Sequence, residues 1–294
     1  MQPEEKILFA INPVSGGRDK VNWESNIKKQ LEDYNHSLHF LILSGQGDDE
    51  ALRASIKSVQ PQKVVAVGGD GTVSLVARQL VGTSMALGIV PAGSANGMAK
   101  DLNIPLSFND ALDTIVNGPV KASDVIRIND KQICLHLADL GLNARIIRYY
   151  KKYKLRGMMA YAKIFLKVLF RRRLLRVIIN ADGKTLTRKA YMIVIANASK
   201  YGTGAVINPH SSIYDGKLEV VIVEKVALKE VMRMFLSSKR SDPKPFEAIQ
   251  AEHITVTTKR KTDFQVDGEY LGAFTSIKAD IMAGQLNMIM PAEK

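Results

Sequence analysis

Two successive folding grammars predict an α/β protein: an N-terminal domain of βα units around a parallel sheet, followed by a C-terminal, mainly antiparallel β domain. Up to about residue 102, short β-branched runs alternate with segments of helical period, whereas later strand-like runs come in pairs around Asn-Asp and Asp-Gly turns. A length of 294 residues suits two domains. The expected division is 1–119 and 120–294, with the C-terminal tail returning to the first domain.

The first domain reads as strands at 7–11, 38–43, 64–67 and 86–90. Between them, Val21, Ile27 and Leu31 mark one helix, Leu52, Ile56 and Val59 a second, and Val73, Val76, Ala77 and Leu80 a third. Ser107 followed by Asp110 is a capping-box-like start for a helix over 108–116, which Asn117-Gly118-Pro119 closes. Beyond that boundary, strands over 125–128 and 132–137 flank Asn129-Asp130, and strands over 175–179 and 185–191 flank Asp182-Gly183. A basic, partly helical stretch spans about 144–173, a helix is expected over 228–236, and 237–245 has the polar, proline-containing composition of a loop.

Hydrophobic residues at 46% and charged residues at 24% leave material for a sizeable core and exclude a disordered chain. A net charge of +12 favours acidic partners: phosphate groups, nucleic acid or an anionic membrane surface. The single cysteine, Cys134, cannot close an intramolecular disulfide and reads as a buried strand residue. The N-terminus has no basic region ahead of its apolar run, and Lys163 and Lys167 interrupt the most apolar helical candidate, so the expected location is cytoplasmic. The five histidines lack ligand spacing and no GxSxG occurs, which removes zinc-hydrolase and serine-hydrolase readings.

The strand at 64–67 runs straight into Gly68-Gly69-Asp70-Gly71-Thr72 and then a helix. Glycines let the backbone approach a ligand closely, and the helix N-terminus offers N–H groups to anionic oxygens, so this loop predicts a phosphate cradle. Asp70 would repel phosphate unless a magnesium ion or a transferred proton is involved. Asn12-Pro13-Val14-Ser15-Gly16-Gly17 and Pro91-Ala92-Gly93-Ser94-Ala95-Asn96-Gly97 follow other strands of the same sheet. Ligands bind beyond the carboxyl ends of strands in open α/β sheets, so all three loops are expected to converge.

In order along the chain, NPVSGG, GGDGT, PAGSANGMAKDL, DLGLNARI and VDGEY resemble the diacylglycerol kinase catalytic-domain family, which includes bacterial lipid kinases and the sphingosine and ceramide kinases. The resemblance implies a nucleotide-binding α/β domain joined to a β-sandwich-like domain with the active site between them. It implies ATP contacts at Asn12, Ser44, Gly68, Gly69, Asp70, Gly71, Thr72, Val73, Ser74, Gly93, Ser94 and Asn96. It further implies a general base at Glu269, with Asp70 the rival, and a Mg²⁺ site at Ser212, Asp215 and Lys217. Three positions depart from the family pattern: Ser94 stands where many relatives have Thr, Gly97 where many have Asp, and Asn143 where an acidic residue is common.

These observations predict phosphoryl transfer from ATP to a lipid hydroxyl by an enzyme peripheral to the membrane. The basic stretch over 145–173 is either its contact with an anionic bilayer or a packed helix. The acceptor lipid and a homodimer are left open. An NAD kinase shares the GGDGT-type loop, although PAGSANGMAKDL matches lipid kinases better. A non-catalytic nucleic-acid-binding protein would account for the charge, but no nucleic-acid module is recognisable and no nucleic acid is expected as partner.

Overall fold

The computed structural model describes residues 4–17, 22–153, 164, 167–170, 173–197, 200–201, 205–206, 212–224 and 247–292. The expected helix over 228–236, the loop over 237–245 and much of the basic stretch after residue 153 lie outside the described residues. The chain divides into two compact units, Met1–Ser123 with Gly284–Lys294, and Asp124–Ala283.

The first unit is built from β1 (Glu5–Ile11), α1 (Trp23–Gln30), β2 (His36–Ile42), α2 (Asp48–Val59), β3 (Lys63–Gly68), α3 (Asp70–Leu80), β4 (Ala86–Pro91), α4 (Gly97–Asp101) and α5 (Phe108–Asn117). Its strands lie in the order β4-β3-β1-β2, all parallel, because each connection is a helix that carries the chain back to the starting edge. The strands are continuous apolar runs because the core closes over Ile7, Phe9, Ile11, Val65 and Val67 together with Trp23 and Ile27 of α1 and Leu112 and Ile115 of α5. Full burial of one such side chain stabilises the fold by roughly 1.5–3 kcal/mol. Ser107 caps α5 as the sequence predicts: its hydroxyl oxygen accepts the Asp110 N–H at 3.3 Å and its O–H donates to the Asp110 carboxylate at 2.6 Å.

The second unit contains β5 (Val120–Ile128), which enters it from the first, β6 (Gln132–Cys134), β7 (Leu137–Gly141), α6 (Leu142–Lys152), β8 (Leu175–Ala181), β9 (Lys184–Ala190) and β10 (Met192–Ala196). It continues with β11 (Lys200–Tyr201), β12 (Ala205–Val206), β13 (Leu218–Val223), β14 (Glu247–Ala251), β15 (His253–Val266) and β16 (Glu269–Ile289). The order β14-β13-β10-β7-β15-β16 is antiparallel throughout, with β8 and β9 paired outward from β15. The end of β16 belongs to the first unit, where Asn287 and Met288 pair in parallel with Ala86 and Leu87 of β4.

Asn129-Asp130, Asp182-Gly183 and Asp267-Gly268 all have positive φ at both residues, the geometry that matches a two-residue hairpin turn to strand twist. The expected single strand over 132–137 is two strands, β6 and β7. It breaks at Leu135 and His136 because their N–H groups are taken by the Asp267 carboxylate instead of a neighbouring strand. The stretches 262–265 and 275–280, which read in the sequence as short strands on either side of Val266-Asp267-Gly268-Glu269, belong to much longer strands, β15 and β16. A register shift between Thr257 and Thr262 interrupts the alternation that would have joined their parts.

Candidate active site

Adjacent parallel strands place their following loops side by side, so the loops after β1, β3 and β4 are neighbours by construction. Glycine then lets them close up. A Cβ at Gly93 would lie 2.4 Å from the Gly69 Cα, and one at Gly16, whose φ is +66°, would lie 2.5 Å from the Ala92 carbonyl oxygen. Side chains cannot occupy those spaces, so backbone packs on backbone. Asn12 joins the first loop to the second, its Nδ2 donating to the buried Thr72 Oγ1 at 3.4 Å. The expected convergence of the three loops is present within this unit.

Gly69 is the N-cap of α3 and no side chain caps that end, which leaves the first turn of the helix open to an anionic ligand. Asp70 is the first helical residue, and its Oδ1 accepts the Met98 N–H at 3.0 Å, at the start of α4. Asn96 shapes the third loop: it adopts φ +50°, its Oδ1 accepts the Gly93 N–H and its Nδ2 donates to the Gly93 carbonyl, both at 2.9 Å. A Cβ at Gly97 would stand 3.7 Å from the Asp70 carboxylate, so this is the position from which a second acid would face Asp70.

The other ATP candidates fall into two groups. Ser94 is exposed, and Ser44 is exposed just beyond β2, with its N–H donated to Asp48 at 2.9 Å and its hydroxyl closest to the Gln46 carbonyl at 2.8 Å. Val73 and Ser74 are buried in α3, where the Ser74 hydroxyl accepts from Arg78 at 3.5 Å. Gly68 lies directly under Thr72, whose Oγ1 would be 2.3 Å from an added Cβ, while Gly71 meets nothing within 4 Å.

In the second unit, Glu269 opens β16 beyond the Asp267-Gly268 turn and is exposed. Asp267, which reads in the sequence as a turn residue, accepts the N–H groups of Leu135, His136 and Leu137 at 2.9, 3.0 and 3.1 Å. Burial pushes its carboxyl up, against the three N–H groups that pull it down. Asp139 and Gln265 are fully buried and hydrogen-bonded to each other, and Asp139 also receives the Ala144 N–H at 2.8 Å and Asn143 Nδ2 at 2.6 Å. Asn143, a departure from the family pattern, therefore serves a buried acid. Arg145 and Arg148 of α6 both engage the buried Asp263, at 3.3 and 2.8 Å, and Tyr270 donates its hydroxyl to the same carboxylate at 2.9 Å. This end of the basic stretch is tied down by ion pairs.

The turn at Ser212, Asp215 and Lys217 is held from behind by Asp124, a buried carboxylate that the sequence reading did not single out. Its Oδ2 accepts the Gly216 N–H at 2.7 Å. Asp215 is exposed, with Oδ1 accepting the Lys217 N–H at 3.0 Å. Asn197 donates to the Asp124 carbonyl at 2.6 Å, while its own buried oxygen has no partner among the described residues.

Comparisons with known proteins agree with this architecture. Residues 6–128 match the diacylglycerol kinase catalytic domain, and residues 137–290 match the YegS C-terminal NAD kinase beta sandwich-like domain. An uncharacterized protein of Synechocystis is 30% identical over 96% of this chain and 69% of its own length. A "Probable lipid kinase YegS-like" protein of Yersinia enterocolitica is 28% identical over 90% of each chain, and a diacylglycerol kinase of Bacillus subtilis is 26% identical over 96% of this chain and 95% of its own. A diacylglycerol kinase crystal structure from Bacillus anthracis superposes with a TM-score of 0.75 over 99% of both chains at 21% identity. An NAD kinase from Archaeoglobus fulgidus shares the fold more distantly, with a TM-score of 0.56 at 13% identity over 97% of this chain and 94% of its own. Both halves of the chain thus match in series, and the protein belongs to the diacylglycerol kinase catalytic-domain family of ATP-using kinases.

Proposed function

We propose that this kinase transfers the γ-phosphoryl group of ATP to the hydroxyl of a membrane lipid. The observation that carries the nucleotide half of this reading is the interlocked trio of glycine loops, with the uncapped α3 N-terminus between them. The names of the Yersinia and Bacillus relatives support the lipid half. A fold shared with an NAD kinase at 13% identity speaks to architecture alone.

In the proposed reaction Glu269 accepts the proton of the lipid hydroxyl as its oxygen bonds to the γ-phosphorus. The bond to the β-bridging oxygen breaks and ADP leaves. Backbone N–H groups of the α3 first turn stabilise charge on the transferred group, and the loops hold it in line. Asp70 orients the third loop through Met98 and keeps its second oxygen available beside the phosphate cradle.

The oxygen-donor chemistry at Asp215 fits Mg²⁺, because an exposed carboxylate and turn carbonyls are hard ligands. The Asp215 carboxylate, with backbone oxygens near Ser212 and Lys217, would hold such an ion, which would supply positive charge. Among the described residues no helix is long and apolar enough to cross a membrane. Access to a lipid is proposed to come from attraction of the cationic protein, with its net charge of +12, to an anionic surface.

Radiolabelled ATP incubated with a total lipid extract, with NAD in a parallel reaction, tests the reading. Label in an organic-phase product is expected. Label in NADP with none in lipid would replace the proposal by its soluble-acceptor rival.

A further inference from the structure

Glu269 is exposed at the tip of a hairpin and no hydrogen bond holds its side chain among the described residues. A general base must nevertheless sit within a fraction of an ångström of its working position, since a misplacement of about 1 Å costs on the order of 10²-fold in rate. The tip itself must therefore supply the rigidity. Two side chains immediately before Glu269 do this.

Asp267 sends its carboxylate back across the sheet to three successive N–H groups, those of Leu135, His136 and Leu137, and its own N–H donates to the Leu137 carbonyl at 2.9 Å. The Cys134 thiol adds a fourth, longer donor contact at 3.6 Å. From the other side, the Oε1 of the fully buried Gln265 accepts the Gly268 N–H at 2.7 Å, while its Nε2 is anchored on Asp139. Between these anchors Asp267 and Gly268 take φ values of +45° and +86°, so the backbone entering Glu269 has little freedom left.

We propose that Asp267 is the positioning residue for Glu269, an inference that rests on the base assignment above. The two acids of VDGE divide the labour. Asp267 is committed to backbone donors and fixes the tip, and Glu269 is left with its oxygens open for the proton. An amide at 267 cannot replace the carboxylate, because its NH₂ would face an N–H donor and at least one of the three anchors would be lost.

The test is a double-mutant cycle of Asp267→Asn with Glu269→Gln, assayed with radiolabelled ATP on phosphatidylglycerol vesicles containing dioleoylglycerol. Asp267→Asn alone is expected to lower kcat on the order of 10²-fold, with the KM for ATP within about two-fold of wild type. In the Glu269→Gln background the same change is expected to cost almost nothing further, because its effect runs through the missing base. Wild-type kcat for Asp267→Asn, or a full multiplicative loss in the double variant, overturns the proposal. Wild-type kcat for Glu269→Gln alone overturns the base assignment and this inference with it. If Asp267→Asn does not fold, Gly268→Ala takes its place under the same criteria. It disturbs only the turn conformation, since a Cβ there meets nothing within 4 Å.

Discussion

Asp70 and Met98 are joined by a 3.0 Å hydrogen bond from backbone N–H to carboxylate, so the acidic residue of the second glycine loop also caps the helix that follows the third. The two roles of Asp70 separate on substitution. Asp70→Asn retains an oxygen for Met98 and is expected to shift stability by no more than about 0.5 kcal/mol, while kinase activity is lost with the negative charge. Circular dichroism melting alongside lipid phosphorylation measures both. Retained turnover would remove Asp70 from the chemistry.

Gly93 and Gly71 should respond oppositely to alanine. At 93 the new carbon collides with Gly69 backbone, so overpacking of about 1–3 kcal/mol is expected together with weakened nucleotide binding. At 71 no protein atom lies within 4 Å, so stability should hold or rise slightly, and any loss of ATP affinity would report the ligand's own approach. Thermal melts and titration with a fluorescent ATP analogue distinguish the two.

Acid should weaken the protein through Asp280. Burial pushes this carboxyl up, but His253 at 2.9 Å and Lys278 at 3.2 Å outweigh it and hold it below its ordinary value of 3.8. A depressed folded-state pKa contributes stability above the ordinary value, lost as pH falls through the folded one. Asp280→Asn is expected to destabilise by about 1–3 kcal/mol at neutral pH. The gap to wild type should close at a pH below the folded-state value, measured by thermal unfolding across an acid series.

Cys134 provides a chemical reading of the hairpin anchor. Burial raises its thiol well above the usual range, and the adjacent Asp267 carboxylate raises it further. Maleimide should therefore label the folded protein slowly at neutral pH and the denatured protein fast. Asp267→Asn should accelerate labelling of the folded form. Equal rates in variant and wild type would mean that the carboxylate does not govern the thiol.

Much of the nucleotide side was legible because its signals are local. Apolar runs gave the parallel strands, and glycines directly after them gave the loops; Gly16, Gly69 and Gly93 are there because backbone meets backbone. The acidic anchors of the second unit were not legible. Asp267 binds N–H groups 130–132 positions away, Gln265 reaches Asp139 across 126 positions, and Asp124 reaches Gly216 across 92. Such bonds leave no periodicity in the chain. One sequence signal was available for Asp267: the run from Thr262 to Val266 leading into it is buried throughout, which is unusual for the approach to a solvent-facing tip.

The Gly69–Gly93 approach also constrains how this chain can diverge. A side chain at Gly93 lands on main chain, with its Cβ 2.4 Å from the Gly69 Cα, and no substitution elsewhere can shrink a main chain to make room. Gly93 is closed to neutral drift, so lineages that inherit the crevice must vary it at exposed neighbours such as Ser94 and Ala95. Sequence divergence in the third loop should therefore record adaptation at its rim, with the glycine scaffold surviving long after overall identity has decayed.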